Sequence, residues 1–68
     1  MKAISGQRLA AILRRKDWEH VRIAASHHIY RSPDGLTQIS IPVHGNKDLK
    51  PGTQGSLMKQ AGITDADL

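Results

Sequence analysis

A chain of 68 residues with a net charge of +4 and only two aromatic residues, Trp18 and Tyr30, has room for one domain (residues 1–68) with a thin core of Ile, Leu, Val and Ala. The absence of cysteine excludes a disulfide framework, a thiol nucleophile and a zinc–thiolate centre, and fits a reducing compartment. Ten Lys and Arg against six Asp and Glu favour a polyanionic partner, whether nucleic acid or an acidic protein.

The opening "MKAISGQRLAAILRRK" lacks the apolar core and small-residue cleavage site of a secretory leader, and no stretch approaches ~18 apolar residues. The expectation is a soluble, cytoplasmic protein with no membrane contact. "SGQRLAAILRRK" predicts a helix. Ser5 is its N-cap, Leu9, Ile12 and Leu13 form one face, and Arg14, Arg15 and Lys16 gather at the last turn, where the helix dipole favours cations. Asp17 ends it and Trp18 anchors the connection.

"HVRIA" alternates as a strand, with Val21 and Ile23 on one face and His20 and Arg22 on the other. "HHIYRS" is a second strand, "SPDG" a turn, and "LTQISIPV" a third strand with Thr37, Ile39, Ile41 and Val43 on one face. "HGNKDLKPG" is a loop carrying Lys47 and Lys50. A closing helix runs from about Thr53, its N-cap, through Leu57, Met58 and Ala61 to Gly62. The order is α–β–β–β–α. The economical core for this α+β chain is a three-stranded antiparallel sheet with both helices on one face, the architecture of double-stranded-RNA-binding domains.

Successive strand residues point to opposite faces, so the adjacent histidines of "ASHHIYR" cannot act side by side. His28 goes with Tyr30, and His27 with Ile29 and Arg31. Packing Tyr30 against the helices turns His27 outward; packing Ile29 there does the reverse, and periodicity leaves both open. Several chemistries lack their parts. The chain has no Gly-rich phosphate loop, few carboxylates for a paired-acid site, and no zinc spacing among His20, His27, His28 and His44. What remains is histidine beside cations, the minimum equipment for cutting RNA. The ribose 2′-hydroxyl is the nucleophile there, imidazole moves protons and cations steady the phosphate. Ser26 can bond backbone or ligand. His44 is a second proton handler, a phosphate contact, or a solvated loop residue. Lys47 and Lys50 stand near a helix N-terminus, where anions are favoured.

The opening helix with its Trp, then "RIAASHHIYRSPDG", "ISIPVHGNKDLKPGT" and "LMKQAGIT", together resemble the HicA toxin family of small bacterial mRNA interferases, in register from about Ser5 to Thr64. The resemblance implies a double-stranded-RNA-binding-like fold, metal- and cofactor-independent ribonuclease activity on mRNA, and neutralisation by a HicB-like antitoxin. It places the catalytic histidine at His27, gives His28 a supporting role and puts Tyr30 in the core. Beside these, the residues themselves lead us to expect Ser26 and His44 as supporting residues and Arg22, Arg31, Lys47 and Lys50 as the RNA contacts. The family usually has glycine where this chain has Ala25; a methyl there weakens activity if the position needs φ > 0 or close RNA approach. The expected function is a toxin endoribonuclease. The alternatives are a non-catalytic RNA-binding module of the same fold and a protein whose only role is to hold another protein.

Overall fold

In the computed structural model, which describes residues 1–68, the first helix, α1 (Gly6–Arg15), starts where Ser5 caps it. The Ser5 hydroxyl accepts the Arg8 N–H at 3.1 Å. Leu9, Ile12 and Leu13 are buried along one stripe. The helix stops at Asp17, whose φ of 66° lies in the left-handed region. There the Asp17 N–H donates to the Arg14 carbonyl at 3.1 Å and the Trp18 N–H to the Leu13 carbonyl at 3.0 Å. This bond pair closes a Schellman motif, and it turns Trp18 back into the core with Leu13.

Three antiparallel strands follow: β1 (Glu19–Ala24), β2 (His27–Arg31) and β3 (Gln38–Pro42), in that spatial order. Across β2 and β3, Tyr30 stands opposite Ile39 and His28 opposite Ile41. Tyr30, Ile39 and Ile41 are buried under the helices, which pack mainly over β3. That decides between the two orientations left open by alternation. Ile29 shares the open face with His27 yet is also buried, at 8% exposure. It lies on the central strand, flanked by Arg22 and Ser40 on its two neighbours.

β1 departs from the expected alternation. The register shifts between His20 and Arg22, so that His20 pairs with Tyr30 and Arg22 with the next residue, Ile29. Val21 is the extra residue of a β-bulge, and a bulge reverses the facing of everything beyond it. His20 and Arg22 therefore lie on opposite faces, and His20 shares the helix-side face with Ile23.

The β2–β3 connection is held by its own side chains. The Ser32 hydroxyl donates to Asp34 at 2.5 Å and accepts the Thr37 N–H at 3.0 Å, while the Leu36 N–H donates to Asp34 at 2.9 Å. The bonds from the Ser32 hydroxyl, first, and from the Leu36 N–H hold the Asp34 carboxyl below its ordinary value.

The second helix, α2 (Pro51–Ala61), begins earlier than the sequence predicts. Lys50 is the N-cap and Pro51 the first helical residue, so Thr53 lies inside the first turn rather than capping it. Proline suits that position, because its φ is already helical and its missing N–H would have no helical partner. Gly62, at φ 68°, closes the helix, with the Ile63 N–H bonded to the Met58 carbonyl at 2.8 Å. A single 3₁₀ turn (Asp65–Asp67) follows, and Asp67 pairs with Lys16 at 3.1 Å, tying the tail to the end of α1.

One buried polar residue links the chain's two ends. Gln54 is fully buried; it accepts the Ile4 N–H at 3.0 Å and donates to the Lys2 carbonyl at 2.6 Å. The segment before α1 is thereby fastened to α2. No helix is long and apolar enough to cross a membrane.

Candidate functional site

β1 and β2 are joined by the two residues Ala25 and Ser26, because Ala24 pairs directly with His27. Ala25 has φ 55°, and Ser26 is not in the positive-φ region. A positive φ at the first of two turn residues matches the strand twist, and is normally supplied by glycine. Here a methyl group occupies it, at a cost of roughly 1–2 kcal/mol. The departure noted at Ala25 therefore falls where the backbone itself favours glycine.

His27 is the first residue of β2, exposed on the open face between Ala24 and Pro42. The Val43 N–H donates to the Ser26 carbonyl at 2.9 Å, so pairing continues one step beyond His27 and brings half-buried Ser26 beside the end of β3. His44 follows Val43 directly and is exposed. It lines an open cleft of about 350 Å³ with Pro42, Lys47, Asp48, Lys50 and Thr53. The cleft thus starts at the cross-strand partner of His27.

Two helix N-termini meet this end of the sheet. Gly6 rests on the Pro42 carbonyl, and Lys50 and Thr53 of the α2 entry line the cleft. Neither helix has an acidic residue in its first turn. The Ser5 hydroxyl serves one of α1's first N–H groups, whereas α2 has no side-chain cap. The free N–H groups and positive dipole end of α2 favour anions, with Asp48 the one carboxylate lining the cleft. Lys47 and Lys50 are both exposed and take part in neither of the protein's ion pairs, Lys16–Asp67 and Arg31–Glu19.

The other anticipated residues divide. Arg22 is exposed on the open face, diagonal to His27 across the strand pair, a separation of about 7–8 Å between backbones. Arg31 shares that face but lies four residues further along β2, roughly 13 Å away, and is paired with Glu19. His28 faces the helix side, half-buried, with its ring stacked on His20 at a centroid distance of 5.5 Å. Ser26, His27, His44, Arg22, Lys47 and Lys50 therefore gather at one end of the sheet; Arg31 and His28 do not.

Sequence reasoning missed two features. Gln54 sits three and four residues before Leu57 and Met58, and that helical spacing is the signal that would have put it on the buried stripe. The Glu19–Arg31 pair follows from their being opposite in the β1–β2 register, and only that register shows it. No three His, Asp or Glu side chains converge as metal ligands would.

No curated protein matches the chain. The sequence profile described as the HicA toxin of bacterial toxin–antitoxin systems matches residues 6–63. That match spans everything from the first residue of α1 to the residue that closes α2's terminal motif. The chain belongs to the HicA toxin family of bacterial toxin–antitoxin systems.

Proposed function

We propose that this toxin is an endoribonuclease that cleaves mRNA in the cytoplasm without a metal, with His27 as its proton-transfer residue. The observation that carries the reading is the exposed His27, on a sheet face that the helices leave open, whose cross-strand partner Pro42 lines the cleft that holds His44, Lys47 and Lys50 beside Asp48. In the reaction His27 takes the proton from a ribose 2′-hydroxyl, whose oxygen attacks the adjacent phosphorus. The bond to the 5′-oxygen breaks, and that oxygen receives a proton from the imidazolium or from water. The products are a 2′,3′-cyclic phosphate and a 5′-hydroxyl. Lys47, Lys50 and Arg22 hold flanking phosphates and offset the charge that builds on the phosphoryl oxygens. His44 and Ser26 border the reacting group; His28 supports from the opposite face, and Arg31 reaches RNA only at the far end of the strand.

A toxin of this family has an antitoxin partner, and a HicB-like protein that covers His27 and offers carboxylates to the cleft fits both the charge and the geometry. The test is the His27→Ala variant. It should lose mRNA cleavage and growth arrest while keeping the wild-type circular dichroism spectrum, since an exposed side chain contributes little to folding. Retained cleavage removes His27 from the mechanism.

One observation favours a second reading. The strained Ala25 lies two residues before His27 and weakens the turn that positions it. A module that binds RNA without cutting it would show salt-dependent affinity and no products from the wild-type chain.

A further inference from the structure

The helix-side face of the sheet is only partly covered. The helices lie over β3, and β1 extends past them, leaving Ile23 56% exposed and His20 exposed on that face. His20 is stacked against two rings of β2: His28 at 5.5 Å with an interplanar angle of 22°, and Tyr30 at 5.0 Å with 30°. Tyr30 is buried and His28 half-buried, so His20 is the outermost of three nearly parallel rings. Arg14 donates to the Tyr30 hydroxyl at 2.8 Å, which sets a guanidinium at the base of the array. Glu19, the residue before His20, is held instead by Arg31.

The Val21 bulge creates this arrangement. Regular alternation would put His20 on the open face with Arg22; the bulge moves it into register with Tyr30. Re-aiming one side chain in this way is a recurrent use of bulges beside functional sites.

We infer that His20, backed by His28 and Tyr30, is a stacking platform for a nucleobase of single-stranded RNA. This rests on the ribonuclease reading above and adds a binding site to it. A flat ring with an exposed outer face accepts any base, and neighbouring cations attract the phosphates on either side. His27 and His28 are consecutive and face opposite ways. RNA whose scissile phosphate lies at His27 therefore reaches His20 by passing round the edge of β1, over Ile23 and Ala24. The cleft at Lys47 and Lys50 holds one arm of the strand, and the ring array holds a base of the other.

The test measures binding of a fluorescent 2′-O-methyl oligonucleotide, which lacks the attacking hydroxyl, to wild type and to His20→Ala, His20→Gln and His20→Trp. Ala and Gln should weaken binding about 5- to 100-fold, the loss of one stacked base, and Trp should match or exceed wild type. An abasic residue at the contacted position should abolish the difference between wild type and His20→Ala. In cleavage assays the same variants should raise KM and leave kcat unchanged. Equal affinities for wild type, Ala and Gln overturn the platform, the result expected if this face serves a protein instead. A loss that persists on abasic RNA also overturns it, in favour of charge. Because Gln keeps bulk without a ring, it carries the comparison should His20→Ala fail to fold. Wild-type protein that neither binds nor cuts RNA overturns the ribonuclease reading itself; wild type that cuts while His20→Ala and His20→Gln match it overturns the platform alone.

Discussion

Gly6, the first residue of α1, packs so tightly on Pro42 that a Cβ at its position would stand 2.2 Å from the Pro42 carbonyl oxygen. Pro42 is also the cross-strand partner of His27. The approach of one helix terminus thus fixes the strand end that frames the candidate catalytic residue. Gly6→Ala should destabilise the fold by about 2 kcal/mol or more in urea titration, since the clashing atom is backbone and cannot swing aside. It should also lower RNA cleavage in the fraction that remains folded, by displacing Pro42 from His27.

Ala25→Gly should stabilise the protein by about 1 kcal/mol, because glycine adopts φ 55° without the clash that alanine meets. For a domain of this size that is a rise of roughly 4–8 °C in Tm. Ala25→Val should act in the opposite sense, its branched Cβ tolerating the left-handed region least. A thermal melt of the two variants beside wild type checks the order.

Gln54→Ala should cost about 3 kcal/mol, the largest effect expected of any single polar side chain here. It leaves the Ile4 N–H and the Lys2 carbonyl without their partner and opens a cavity beside Met58. Hydrogen exchange should then show the segment before α1 opening ahead of the sheet.

Acid should weaken the attachment of the tail. Asp67 is held below its ordinary value by the Thr64 N–H and by Lys16. A carboxyl whose folded-state value is lowered binds protons more readily when unfolded, so its stabilising contribution is complete above the unfolded value of 3.8. That contribution fades as pH falls through the lowered folded value. The gap in stability between wild type and Asp67→Asn should be widest near neutrality and close in strong acid, as followed by urea midpoints across that range.

Replacing Lys47 or Lys50 by Ala should weaken RNA binding for all sequences alike and reduce the salt-dependence slope by about 1 for each lysine. Anisotropy titrations at several salt concentrations, using an uncleavable oligonucleotide, measure both quantities. A slope that does not change would separate these lysines from the RNA.

Periodicity and punctuation in the chain were enough for the α–β–β–β–α order. The stripe of Leu9, Ile12 and Leu13, the Ser5 cap, the alternation through Ile39 and Ile41 and the stop at Gly62 are all local signals, and local backbone preference obeys them. Family resemblance added the toxin identity and singled out His27. Tertiary structure decided what depends on pairing between distant residues. It chose Tyr30 over Ile29 for the core, because only one face of the sheet is covered by helices. It placed a bulge at Val21, which no alternation pattern in β1 alone could report, and so carried His20 to the face opposite Arg22. It also brought Pro42, and with it the Lys47–Lys50 cleft, beside His27, and buried Gln54 against a backbone segment fifty residues earlier. Side-chain type and spacing determine which elements form; the register between them determines which side chains meet.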